Sequence, residues 1–326
     1  MNSAIPWMSF EQVCATMDDM GKSNNPFLFF VDFKAESGWI GTPSEAQALG
    51  IKYEIGSNKI VEKSKKNPIF NKTPISEASY LEKFNQVQRA IHRGDSFLIN
   101  LTAPTQIESN LTIEEIYTIA QARYKLLVPH FFTVFSPECF IQIEANKIKS
   151  FPMKGTLAVI NHSSPDNLIN DIKEQAEHAT IVDLIRNDLS QVAFPIQVEK
   201  YKFIDQVKTH EGDLWQMSSL ISGELLDEYK GHFGKILRQL LPAGSISGAP
   251  KTSTLRIIEE VEAYSRGFYT GIMGLFDGHL FDSGVMIRYI ETTENTMTYK
   301  SGGGITVFSE AKKEYQELIQ KVYLPF

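Results

Sequence analysis

FIQIEANKIKSFPM, residues 140 to 153, decides the class of fold. Apolar and polar residues alternate on both sides of Ala145-Asn146, the pattern of two antiparallel strands joined by a tight turn. In a hairpin turning there, residues whose numbers sum to about 292 stand opposite one another. Glu138 of SPECF and Lys154 of FPMKGT then face each other, within reach of a salt bridge or a proton transfer. The same arrangement also serves as an ordinary cross-strand ion pair, worth at most about 1 kcal/mol.

Working outward, HFFTVF (His130 to Phe135) and FLFFVDF (Phe27 to Phe33) read as strands, the latter buried on both faces. Ser9 with Gln12 forms a capping box that opens a short helix stopping at Gly21. Residues 57 to 76 are rich in Lys, Asn, Ser and Pro and read mostly as an exposed connection. Ser76 begins a helix with Tyr80, Phe84, Val87 and Ile91 inside, ended by Gly94. FLINLT is a strand, and Thr112 with Glu115 caps a helix through IYTIAQARYKLL. Downstream, FPIQVEKYKFIDQVKTHEGDLWQMSSLISGEL reads as strands and turns. FYTGIMGLF, a turn at Asp277-Gly278, FDSGVMIRYIE and TMTYKSGG then form a meander. Arg288 alternates with Met286 and Ile290, and an arginine on a buried face needs an anionic partner.

EQAEHATIVDLIRND, residues 174 to 188, reads as a helix with Ile172, Ala176, Ala179, Val182 and Ile185 on its buried face. Glu174 and Glu177 project side by side next to that stripe. Neighbouring carboxylates repel unless a cation or a proton sits between them. A second pair, Glu314 and Glu317, stands on the last helix, which starts at Ser309. Four carboxylates from two helices are a donor set suited to Mg²⁺, a hard ion that prefers oxygen. A solvated acidic face is the alternative, supported by the Glu317–Lys321 spacing. PAGSISGAPK offers a Gly-rich turn, Pro250 at a first helical position and Lys251 beside free N–H groups, before a helix with Leu255, Ile258 and Val261 inside. This suits an anion or serves as a mere loop and cap.

The chain has 326 residues, 42% hydrophobic, enough for a large core in one domain or two. Net charge is −7 and no basic run interleaves with aromatics, which argues against nucleic acid and anionic membranes as partners. No apolar run has the length of a signal peptide or a membrane span, so a soluble cytoplasmic protein is expected. Cys14 and Cys139 are the only cysteines, too few for a disulfide framework or thiolate metal cluster.

At IVDLIRND, PAGSISGAPK, SGGGI and EYQE the sequence resembles the chorismate-binding enzyme family, which includes anthranilate, aminodeoxychorismate and isochorismate or salicylate synthases. The resemblance runs from about residue 77 to 325, with the motifs in the family's order. It implies one α+β catalytic domain over residues 1–326, two packed, mostly antiparallel sheets flanked by helices, and Mg²⁺ with chorismate in a cleft. It implies that Glu177 and Glu317 bind Mg²⁺ directly while Glu174 and Glu314 hold metal-bound water. It implies that Arg288 grips the enolpyruvyl carboxylate, helped by Tyr269, Lys321 and the N–H groups of Gly271 and Gly303. Glu138 matches the acid that protonates the departing 4-hydroxyl.

Within the family, PMKGT resembles the PIKGT motif of the aminodeoxychorismate synthase branch, and relatives of anthranilate synthase carry a small residue at Lys154. That implies attack of the lysine on ring C2, followed by ammonia at C4. Three positions depart from the family pattern. Trp215 stands where a His is usual, Tyr289 replaces Thr after the arginine and so is expected to reshape the pocket, and the segment 1–76 has no clear effector-binding region. Neither cysteine sits in a nucleophile turn, so ammonia comes from solution or from a separate glutamine amidotransferase subunit. The alternatives are an anthranilate or isochorismate synthase, against which Lys154 and Trp215 both count, and a chorismate-binding protein without catalysis.

Overall fold

The computed structural model describes residues 5–56, 68–159, 164–207, 214–293 and 296–324. Two antiparallel sheets are packed together and flanked by helices, as expected. The ten-stranded sheet runs Met8–Ser9, Ser37–Gly41, Phe27–Val31, Ile272–Phe276, Leu280–Val285, Cys139–Glu144, Lys147–Ser150, Leu214–Leu225, Met153–Ala158, with Ala193–Val207 also on Leu214–Leu225. The eight-stranded sheet runs Gly248–Ala249, Leu98–Ser109, Thr296–Ile305, Tyr289–Thr293, Phe132–Ser136, Tyr124–Val128, Lys52–Ile55, with Phe70–Thr73 on Leu98–Ser109.

The continuous apolar run at Phe27–Val31 is explained by its place between two cores. Phe27, Phe29 and Val31 join the helix-covered core, while Leu28 and Phe30 join the layer between the sheets, against Leu126, Val128, Phe132 and Val134. All five are fully buried, and each large apolar side chain contributes about 1.5–3 kcal/mol by leaving water. The capping boxes at Ser9–Gln12 and Thr112–Glu115 are both closed.

Several expectations need correction. The helix from Thr112 covers only Ile113–Ile119, and YKLLV is the fully buried strand Tyr124–Val128. Its sheet neighbours decide this: Leu126 and Leu127 pair with both Lys52–Ile55 and Phe132–Ser136. In the Lys- and Asn-rich connection, residues 57–67 lie outside the described residues, but Phe70–Thr73 is a strand paired with Gln106–Ser109. The helix Ile172–Leu189 buries His178, Ile181, Val182, Ile185 and Leu189, whereas Ala176 and Ala179 are exposed. The small alanines follow the apolar period without sharing the buried face. In the helix Lys251–Glu262, Ile257 is buried with Ile258 and Val261, and Leu255 is only partly covered. The last helix is Ala311–Gln320, capped at Glu310 and not at Ser309.

The hairpin turns at Ala145-Asn146, both with positive φ (49° and 65°). Its register is one residue out from expectation: Lys147 faces Glu144 and Lys149 faces Gln142. The ladder also stops there. After Ser150 the chain leaves through Pro152, and Met153–Ala158 pairs instead with Leu214–Leu225, with a bulge between Met153 and Thr156. Glu138 and Lys154 are therefore not cross-strand partners.

Two short connections that carry the chain from one sheet to the other touch each other. Phe132–Ser136 belongs to the smaller sheet and Cys139–Glu144 to the larger, so Pro137-Glu138 is a crossing. FDSGVMIRYIE, read as one strand, is split into Leu280–Val285 in the larger sheet and Tyr289–Thr293 in the smaller. Met286–Arg288 is the return crossing, with Arg288 at φ 53°. The Val285 N–H donates to the Glu138 carbonyl and the Phe135 N–H to the Arg288 carbonyl, both at 3.1 Å. The simple alternation that put Arg288 on a strand face does not apply to it.

Candidate active site

Arg288 and Tyr269, two of the expected substrate groups, lie near each other. Arg288 is partly buried, donates from Nε to the Tyr323 hydroxyl at 3.2 Å and lies over the Tyr323 ring. Among the described residues no carboxylate pairs with it. Tyr269 is buried beside Tyr289, with ring centroids 6.0 Å apart, and burial pushes its phenol pKa up. Tyr289, expected to reshape the pocket, is itself packed in the core against Phe132 and Tyr269. Gly271 departs from expectation: its N–H donates to the Phe268 carbonyl, so that group is engaged within a turn. A glycine is needed there for a different reason, since a Cβ would lie 2.1 Å from the Val31 carbonyl oxygen.

Beyond Lys300 the strand Thr296–Ile305 continues on Leu98–Ser109 after Tyr289–Thr293 has ended as its other neighbour. Gly302, Gly303 and Gly304 line this stretch. A Cβ on Gly303 would lie 3.4 Å from Glu314 Oε2, 3.6 Å from Glu317 Oε1 and 3.6 Å from Lys321 Nζ. Lys321 is salt-bridged to Glu317 at 2.6 Å and donates to the Gly302 carbonyl at 2.8 Å. Glu314 is buried. The charges of Glu314 and Glu317 both reach Tyr80, whose phenol pKa is raised first by burial and then by them.

Glu314 Oε2 and Glu317 Oε1 thus both lie near Gly303, and the Glu317 oxygen is paired with the Lys321 ammonium. Glu174 and Glu177 stand partly buried on the other helix, next to His178, whose Nε2 bonds Ser219 Oγ at 2.7 Å. Among the described residues no three His, Cys, Asp or Glu side chains converge closely enough to hold a metal. The structure brings together one pair of the expected four.

Glu138 lies on its crossing with its N–H on Ser136 Oγ at 3.1 Å, and its Oε1 accepts from Ser245 Oγ at 3.0 Å. Glu138, Ser245, Met153, Ile181 and Ile185 line one small cavity. Lys154 follows Met153 directly, and its side chain lies outside the described residues. Trp215 stands opposite Leu157 on the neighbouring strand, its indole N–H buried without a hydrogen-bond partner among the described residues.

The expected anion turn has found its anion within the chain. Asp188, buried, pairs with Lys251 at 2.9 Å and accepts from the Gly244 N–H at 3.3 Å. Burial raises the Asp188 pKa and Lys251 opposes that shift. Pro250 caps the following helix rather than opening it. The Ser245 contact was missed in the sequence, although a hydroxyl in a turn of otherwise small residues was there to be noticed.

The family model for chorismate binding enzymes matches residues 24–325. The chain belongs to the chorismate-binding enzyme family. It is 45% identical over 307 residues to a Haemophilus influenzae protein named only as "PabA-like", covering 94% of each. Over 76% of its length it is 33% identical to aminodeoxychorismate synthase component 1 of Salmonella typhimurium, of which it covers 57%. Its fold resembles anthranilate synthase component I of Streptococcus pneumoniae, with a TM-score of 0.67 at 26% identity, over 80% of this chain and 60% of that one. Family membership makes chorismate chemistry the frame for the cleft. Among the described residues no helix is long and apolar enough to cross a membrane.

Proposed function

We propose that this chain aminates chorismate to 4-amino-4-deoxychorismate. The observation that carries the reading is the shared cavity: Met153, the residue before Lys154, lines the same space as Glu138. A neutral Lys154 amine attacks ring C2 while the C4 hydroxyl leaves and both ring double bonds shift. Glu138 gives its proton to that hydroxyl, which departs as water. Ammonia then adds at C4, expels the lysine from C2 and loses a proton. Arg288, with no carboxylate partner among the described residues, takes the enolpyruvyl carboxylate, and Tyr269 closes the pocket beside it. Glu177 and Glu317 would hold Mg²⁺, with Glu174 and Glu314 behind them. The ion, when bound, anchors and neutralises the ring carboxylate.

Ammonia comes from solution or from a separate glutamine amidotransferase. A glutaminase nucleophile must be a thiolate, and burial pushes both Cys14 and Cys139 up to about 12. The "PabA-like" name of a relative supports such a partner.

The test is product analysis. Purified chain with chorismate, Mg²⁺ and ammonium should yield 4-amino-4-deoxychorismate, and glutamine alone should yield none. Without ammonia, intact-protein mass spectrometry should find a covalent adduct that Lys154→Ala removes, with chorismate binding preserved. Anthranilate or isochorismate as the main product, or no turnover despite binding, would overturn the reading.

A further inference from the structure

We propose that Ser245 is a positioning residue for the carboxyl group of Glu138. The inference rests on the proposed role of Glu138 as the acid. It starts from the PAGSISGAPK turn, whose expected anion role is taken by Asp188.

The helix Gly244–Ser247 is a single turn, too short to hold itself. It is pinned from several sides. The Gly244 N–H is on Asp188, which Lys251 also holds. The Ile246 carbonyl accepts from Asn100 Nδ2 and Arg266 Nη1, each at 2.9 Å. Ser247 Oγ donates back to the Ala243 carbonyl at 2.7 Å. The Ser245 side chain hydrogen-bonds across to another element, donating to Glu138 Oε1 at 3.0 Å.

The backbone of Glu138 is equally fixed, through its N–H to Ser136 and its carbonyl from Val285. What the backbone leaves open is the rotation of the carboxyl group. A hydroxyl held on Oε1 selects one rotamer and assigns the transferable proton to Oε2. A proton delivered to a leaving oxygen must arrive in line, so loss of that restraint slows the chemical step without touching the groups that bind substrate.

Ser245→Ala, Ser245→Thr and wild type are compared by steady-state loss of chorismate, whatever the product. The expected result is kcat about tenfold lower in Ser245→Ala with KM for chorismate within about twofold, and most of the rate restored in Ser245→Thr. An unchanged kcat, a KM that rises as steeply as kcat falls, or a Thr variant no better than Ala would overturn the assignment. Product identity is scored separately, so a wrong product overturns the proposed reaction and not this inference. Crystal structures of wild type and Ser245→Ala supply a readout that needs no turnover. The Glu138 carboxyl should hold one position in wild type and move or spread in the variant; an unmoved carboxyl would overturn the proposal.

Discussion

Arg266 and Arg288 are two arginines withdrawn from solvent within the same molecule, and they are treated in opposite ways. Arg266 is saturated. Its Nε and Nη2 grip both oxygens of Glu262 at 2.8 and 2.6 Å, and its other donors go to the Ile246 and Asn100 carbonyls. Glu262 in turn takes the Thr102 N–H and hydroxyl. Arg288 has a tyrosine hydroxyl at 3.2 Å and the face of the same ring. Arg266 is matched by a full carboxylate; among the described residues Arg288 is matched only by neutral groups, and under the proposed function it takes an anion that arrives from outside. Under the proposed function the difference separates scaffold from site.

Removing Glu262 tests the scaffold half of this contrast. Glu262→Ala leaves a buried guanidinium without its anion and should lower stability by about 3–5 kcal/mol in urea unfolding. A loss below about 1 kcal/mol would erase the distinction. Arg288→Ala should do the reverse, weakening chorismate binding about 100-fold, or roughly 2.7 kcal/mol, while unfolding free energy stays within about 1 kcal/mol of wild type. Calorimetric titration and urea melts on the same sample decide it. Arg288→Lys should not restore affinity, since the forked geometry is lost.

Glu314→Ala asks whether the anion is shared between Arg288 and a cation site. Turnover should fall on the order of 10–100-fold, with weaker Mg²⁺ binding by calorimetry, as expected for a group that supports a ligand rather than being one. Unchanged Mg²⁺ binding would remove Glu314 from the site. The smallest effect belongs to Tyr323→Phe. Losing a single acceptor on Arg288 should cost at most about 1 kcal/mol of stability and leave chorismate affinity within about threefold. A larger loss of stability would mean that Arg288 leans on Tyr323 as Arg266 leans on Glu262.

Local chemistry was legible in the sequence wherever a few neighbouring residues determine it. The capping boxes, the Ala145-Asn146 turn and the fully apolar Phe27–Val31 strand all stand as read. What was not legible is where a strand changes sheets. Val285 and Tyr289 lie in one mostly apolar stretch with no turn residue between them, because a residue buried between sheets and one buried beneath a helix are equally apolar. The hairpin failed at the same kind of place: its turn was correct, but its ladder was extended past Ser150, where the chain leaves for another strand. On the site, Gly303, Glu314, Glu317 and Lys321 lie close together, while the N–H of Gly271 is engaged elsewhere. A backbone donor's partner has no signature in a sequence.

The two hydrogen bonds that join the sheet crossings work as a gauge block. They tie the main chain of Glu138 to Val285 and that of Arg288 to Phe135, so the span between the two residues is set by backbone geometry. Under the proposed function, that span is the distance from the grip on one end of the substrate to the acid at the other. A mutation at residue 154 would then change which nucleophile is offered while the workpiece stays clamped in the same jig. New reactions can be tried at such a bench one side chain at a time, without rebuilding the hold on the substrate.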